Sequence, residues 1–103
     1  MSELIAFRVD DGVGHLELNR PRVINSLNLE MLRALTDVLH QWQEDDGVRA
    51  VELSGAGDRG FCAGADVREL AGLVTAGDDW LEFLRVEYTL DALVAHFPKP
   101  VTT

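Results

Sequence analysis

The sequence predicts an α/β layer whose elements follow in the order β-β-α-β-α-α-(β). Three observations carry this. Two alternating apolar runs flank Asp10-Asp11-Gly12. Leu29, Leu32, Leu35, Leu39 and Trp42 then recur at helical spacing. A run of small and branched apolar residues, Val48 to Ser54, separates that stripe from a second helical region. Strands alternating with amphipathic helices favour layered α/β packing.

In the first run Ile5, Phe7 and Val9 share one face, and Val13 to Leu18 forms the returning strand. Gly12 supplies the positive φ that a tight hairpin turn requires. Asn19-Arg20-Pro21 ends the second strand, and Asn28 is placed to cap the first helix. Glu44-Asp45-Asp46-Gly47 closes that helix, with Gly47 expected in the C-terminal capping position. The third strand should be buried. A glycine-rich loop, Gly55 to Ala65, follows it, and Asp66 is expected to open a helix with Val67, Leu70, Ala71 and Val74 inward. Gly77 and Asp78-Asp79 restart a longer helix, which Pro98-Lys99-Pro100 stops. Val101-Thr102-Thr103 reads as the beginning of another strand. Two hairpin strands and one central strand make a small sheet for these helices. Residues 1–103 are therefore expected to be a single, incomplete domain, the front part of a larger one.

The chain has 103 residues, with 9 Lys and Arg against 18 Asp and Glu, a formal charge of −9. Hydrophobic residues at 47% and charged residues at 26% exclude a disordered tail or a low-complexity repeat. Such acidity argues against nucleic acid and against anionic membrane surfaces as partners. An anionic ligand must then be held by local basic groups or backbone N–H donors. A lone cysteine, Cys62, excludes an internal disulfide and a Cys-rich zinc site. His15, His40 and His96 share no metal-ligand spacing, so no metal is expected. No histidine is positioned by pattern to activate Cys62, which reads as a small packed thiol. The N-terminus lacks a signal-peptide pattern and no stretch nears the ~20 apolar residues of a membrane span. A cytoplasmic location is the expectation.

The loop after the third strand holds the chemistry. Gly55-x-Gly57-x-x-Gly60 follows a strand, and Asp78-Asp79 falls about 20 residues later, as a dinucleotide fingerprint asks. Yet helical spacing begins only near Asp66, and the acidic pair starts a helix instead of ending a strand. A dinucleotide-binding module remains the alternative. Ala63-Gly64-Ala65, just ahead of a helix start, gives another reading. Small residues let a ligand approach backbone N–H groups at an electropositive helix end. Such a corner can cradle an anion or an oxyanion developing on a carbonyl.

Leu18-Asn19-Arg20-Pro21, then Asn25-Ser26-Leu27-Asn28, then Ser54 to Asp66 together resemble the enoyl-CoA hydratase/isomerase (crotonase) superfamily. The resemblance covers nearly the whole chain but only the front part of that family's ββα-repeat fold. It implies an acyl-coenzyme A thioester as small-molecule substrate, with coenzyme A as part of that substrate and no separate cofactor. It implies that the Ala65 N–H polarises the thioester carbonyl beside Gly64. Ala63, Asp66 and Val67 would border the coenzyme A moiety together with the segment Arg22 to Ser26, Arg22 lying near its phosphates. A solvated loop arginine is the alternative for Arg22. The family's second oxyanion donor and its acid/base carboxylates would come after Thr103.

Glu87 stands out without any family knowledge. Trp80, Phe83, Glu87, Leu90 and Val94 form one helical stripe with a carboxylate in its middle. That costs free energy unless the carboxylate is paired, hydrogen-bonded or solvated at the stripe's edge. Arg85 to Leu90, ahead of His96-Phe97-Pro98-Lys99-Pro100, is similar to the branch that hydrolyses 3-hydroxyisobutyryl-CoA, in which a glutamate here contacts substrate. A third class of function is a non-catalytic interaction domain. For that class an open apolar surface predicts a homo-oligomer, or completion by a C-terminal part.

Overall fold

A computed structural model of the chain describes residues 4–23, 25–57, 67–77 and 80–102. Strands β1 (Ile5–Asp10) and β2 (Val13–Leu18) are followed by a 3-10 turn at Pro21–Val23 and helix α1 (Leu29–Glu44). Strand β3 (Ala50–Gly55), helices α2 (Val67–Ala76) and α3 (Trp80–Ala95), and the short strand β4 (Val101–Thr102) complete the order. It is the order that the sequence predicts. The sheet runs β1-β2-β3-β4, with β1 antiparallel to β2 and the remaining pairs parallel.

The hairpin forms where expected. Asp11 and Gly12 have φ of 51° and 79°, the two positive values that match a tight turn to strand twist. Its register sets Ile5 opposite Leu18 and Phe7 opposite Leu16, and β2 continues it by pairing Leu16 with Leu53. Because side chains alternate, Ile5, Leu16, Leu18 and Val51 reach one buried face. There they meet Leu32, Leu35 and Leu39 of α1 and Phe83 and Leu90 of α3 in a single core. The opposite face carries Arg8, His15, Glu17, Glu52 and Ser54 around a shallow polar groove. Across it His15 Nδ1 lies 3.5 Å from Glu52 Oε1.

Trp42 closes the core at the hairpin end. Its ring meets Phe7 edge to face, with centroids 6.4 Å apart at 71°. The strand beneath it has no room for a side chain, since a Cβ on Gly14 would come within 2.5 Å of the indole.

The structure departs from expectation at the end of α1. Asp45, at φ −91°, is the C-cap, and Gly47 does not adopt a left-handed conformation. Gly47 instead donates its N–H to Asp45 Oδ1 at 2.8 Å. The last carbonyls of the helix are met from far along the chain. Lys99 Nζ donates to the Trp42 carbonyl and, at 2.6 Å, to that of Asp45. An ammonium at the electronegative helix end makes a left-handed glycine unnecessary there.

Helix α2 also differs in its inward face. Leu70 and Leu73 pack against the core, whereas Ala71 is exposed and Val74 is 53% exposed. The two longer leucine side chains bury more apolar area than alanine and valine, which fixes the helix's rotation. Gly77, at φ 74°, ends α2 in the left-handed manner.

Two glycine substitutions test this packing in opposite directions. Gly14→Ala forces the indole aside and should cost about 1–3 kcal/mol of unfolding free energy in urea. Gly72 lies in α2 with nothing within 4 Å of a built Cβ, so Gly72→Ala should stabilise. The expected gain is about 0.5–1 kcal/mol from reduced freedom of the unfolded chain.

Candidate functional site

The chain leaves β2 at Leu18 and makes a tight excursion before α1 begins. Asn25 holds that excursion together. Its backbone N–H donates to the Arg20 carbonyl at 2.8 Å, and its side-chain Oδ1 accepts from the Arg20 N–H at 2.8 Å. The conformation needs φ of 55°, which asparagine tolerates better than most residues. Asn25 is fully buried, and its Nδ2 donates to the Ala56 carbonyl at 3.0 Å. Ala56 in turn donates its N–H to the Leu18 carbonyl at 2.7 Å. The residue just past β3 is thus tied on both sides to the exit of β2. Gly57 follows at φ 87°, and a Cβ there would stand 3.0 Å from Pro21.

Beyond this joint, the start of α2 is tied to the start of α1. Asn28 caps α1 by accepting the Met31 N–H at 2.8 Å, and Glu69 Oε2 accepts the Leu29 N–H at 3.0 Å. A carboxylate at that helix end also complements its dipole. The carboxyl ends of two parallel strands, where open α/β sheets bind ligands, are therefore held side by side.

Ser26 lies inside this joint, half-buried, with its carbonyl and Oγ accepting from Arg20 Nη1 at 3.1 and 3.4 Å. Arg22 sits on the 3-10 turn, exposed, and makes no hydrogen bond or ion pair among the described residues. Ala63, Gly64, Ala65 and Asp66 lie outside the described residues, as do Cys62 and the Asp78-Asp79 pair. Val67 enters as the first backbone position of α2. The structure thus joins Asn25, the neighbour of Ser26, to Ala56 at the start of the loop and leaves Arg22 facing solvent.

Glu87 is half-buried on α3, one turn from the buried Phe83 and Leu90. It makes no hydrogen bond or ion pair among the described residues. No buried side-chain oxygen or nitrogen there lacks a partner, so its carboxylate keeps contact with solvent. The stripe drawn from the sequence holds at Phe83, Leu90 and Val94. It fails at Trp80, which is 40% exposed in the opening turn of the helix.

A cavity of about 290 Å³ opens between α1, α3 and the sheet. Leu18, Leu27, Leu35, Leu39, Leu53, Leu90 and Val94 line it, and the exposed Asp91, one turn beyond Glu87, stands at its edge. Leu18 and Leu27 bracket the Asn25 excursion, so the cavity and the strand exits adjoin. Such a space suits an apolar group and excludes a strongly hydrated one.

Among the described residues Gly55 lies within β3 and α2 runs from Val67, while Gly60 of the dinucleotide pattern lies outside them. No cluster of metal-ligating side chains occurs among the described residues. No helix there is long and apolar enough to cross a membrane. Sequence reasoning missed the roles of Asn25 and Glu69. For Asn25 a signal existed, since asparagine in a tight turn can hold a left-handed φ. Glu69 reads as an ordinary first-turn acid.

Comparisons with known proteins agree with this geometry. A family model described as enoyl-CoA hydratase/isomerase matches residues 13–103. The 1,2-epoxyphenylacetyl-CoA isomerase of Escherichia coli (strain K12) is 42% identical over 103 residues, covering 98% of this chain and 39% of that protein. The mitochondrial 3-hydroxyisobutyryl-CoA hydrolase of Gallus gallus is 36% identical over 90 residues, covering 86% of this chain and 23% of that one. A crystal structure of an enoyl-CoA hydratase from Rhodobacter sphaeroides superposes with a TM-score of 0.89 at 35% identity. It covers 97% of this chain and 31% of the solved one. The chain therefore spans less than half the length of each of these relatives. Over nearly its whole extent, in sequence pattern as in backbone, it belongs to the enoyl-CoA hydratase/isomerase family.

Proposed function

We propose that this chain binds acyl-coenzyme A thioesters at the carboxyl ends of β2 and β3 and takes part in their processing. The observation that carries this reading is the Asn25 bond to Ala56. It joins the two separated sequence segments in which the family resemblance resides. In this reading the Ala65 N–H faces the thioester oxygen beside Gly64, and Ala63, Asp66 and Val67 border the coenzyme A moiety. Backbone donors at a helix start stabilise negative charge on that oxygen without needing a basic side chain. Arg22, exposed and without a partner among the described residues, is available to the phosphates, and Ser26 would border the coenzyme A moiety from the same segment. No separate cofactor is needed, because coenzyme A arrives as part of the substrate. The adjoining apolar cavity fits the acyl portion.

Within the family we place the chain nearest the branch acting on 3-hydroxyisobutyryl-CoA. The hydrolase from Gallus gallus supports this, as does Glu87 on a helix that walls the cavity. Glu87 would accept a hydrogen bond from the hydroxyl of the acyl group.

Four outcomes are expected. Titration calorimetry should detect saturable binding of coenzyme A and none of NAD. Arg22→Ala should weaken coenzyme A binding by roughly 2–5-fold, the scale of an exposed ionic contact, while leaving the thermal midpoint unchanged. Binding of NAD alone would overturn the reading.

Glu87→Gln keeps the shape and removes the charge. It should reduce affinity for 3-hydroxyisobutyryl-CoA while leaving affinity for coenzyme A itself within about twofold. Equal losses for both ligands would remove Glu87 from the acyl site.

The fourth outcome concerns turnover. The family resemblance puts the second oxyanion donor and the acid/base groups after Thr103. Losing such groups costs about 10²–10³ and 10²–10⁴ in rate respectively. The 103-residue polypeptide should therefore hydrate crotonyl-CoA no faster than buffer does.

A further inference from the structure

We propose that the outer face of α3 is a self-association surface, on which a second copy of this chain docks its own α3, antiparallel and centred on Tyr88. A helix that buries one face against its own core carries a polar face opposite it when nothing else covers it. In α3 the polar residues are Glu82, Arg85, Glu87, Thr89 and Asp91, and every other residue from Trp80 to Ala95 is apolar. Phe83 and Leu90 take the buried side. At 100° per residue Leu81, Leu84, Tyr88, Ala92 and Ala95 fall on the side away from them, in alternating steps of three and four. That is the spacing of a seam between two helices. Leu81 is 54% and Tyr88 73% exposed, and Ala92 and Ala95 are exposed as well. Leu84, at the seam's margin, also reaches the core.

The seam is large at its start and small at its end, so two such seams fit only when they run in opposite directions. Turned about a twofold axis at Tyr88, Leu81 of one copy faces Ala95 of the other, and Leu84 faces Ala92. A branched side chain then enters the space that an alanine leaves. Tyr88 meets its own counterpart on the axis, where two rings stack offset. The same register sets Arg85 opposite Asp91 on both sides of the axis. Asp91 is exposed and makes no hydrogen bond or ion pair among the described residues. The Arg85 side chain is 68% exposed, with Nη1 on Glu82 of its own helix and its other N–H groups open. A parallel pair would instead set Arg85 against Arg85 and leave a gap between two alanines at the far end. This match of the seam with itself, in size and in charge, singles out a second copy as the occupant. A chain of formal charge −9 repels its copies at long range, so association must come from short-range pairing of this kind. The seam spans only about 21 Å, so the dimer should be weak and concentration-dependent.

The test uses the 103-residue chain. Sedimentation equilibrium from micromolar to millimolar concentration gives the monomer–dimer constant. Arg85→Glu and Asp91→Arg should each weaken dimerisation by about tenfold or more, with helix content unchanged by circular dichroism. The double variant Arg85→Glu/Asp91→Arg reverses the sign of each pair and should return to within about threefold of wild type. General charge repulsion would move the two single variants in opposite directions, because one adds negative charge and the other removes it, and that result overturns the proposal. A second measurement fixes the register. In a Cys62→Ser background, mild oxidation should join Tyr88→Cys chains through a disulfide. It should leave Leu81→Cys chains unjoined, because those two positions lie about 21 Å apart along the paired helices. The proposal is overturned by a wild-type chain that stays monomeric at millimolar concentration, or by a dimer indifferent to all three charge variants. It is equally overturned by a double variant that does not recover, or by cross-linking through Leu81→Cys and not through Tyr88→Cys. None of these measurements involves coenzyme A, so their outcome stands apart from the acyl-CoA reading.

Discussion

The side-chain amide of Asn25 spans the gap between the exits of two neighbouring parallel strands, and the site depends on that bridge. One end of the amide satisfies the Arg20 N–H, the other the Ala56 carbonyl. Both partners are backbone groups, and the amide that joins them is itself fully buried. Because an unmatched buried polar group costs about 1–3 kcal/mol, the joint resists opening by small slides of either strand exit. A strand sheet fixes register along its length but leaves the loops at its ends free to diverge. The amide removes that freedom where a ligand would sit.

Behind the joint, the helical layer makes the sheet a firm base. Trp42 fills the hairpin end of the core and excludes any side chain at Gly14. Lys99 draws the lead-in to β4 onto the last carbonyls of α1, and the Pro100 carbonyl accepts from Val51 at 2.9 Å. Thus the same helix is tied at its start to α2 and at its end to the approach to β4. Movement of α1 relative to either neighbour would have to break a charged hydrogen bond.

Charge adds a further constraint. A chain of formal charge −9 repels an anionic ligand at a distance, so recognition must come from close-range donors. Arg22, exposed on the turn after β2, is a close-range donor of that kind. The cavity beside the strand exits has the complementary character, since it is walled mainly by leucines.

The sequence by itself determined whatever is encoded by neighbours within a turn or two. The Asp11-Gly12 hairpin, the Asn28 cap and the α1 stripe follow from local φ preferences and helical spacing, and each forms as read. The family motifs were legible for the same reason, as short runs of consecutive residues. Tertiary structure decided the rest. Lys99 replaced Gly47 as the stop of α1, and core packing kept Leu70 inward as read but took Leu73 in place of Ala71 and Val74. Asn25, Glu69 and Lys99 each act on groups 31, 40 and 54 positions away. No local pattern encodes such a partner. A polar side chain's role at that range is set by which backbone groups the packed core leaves unpaired, and those exist only once the sheet and helices have come together.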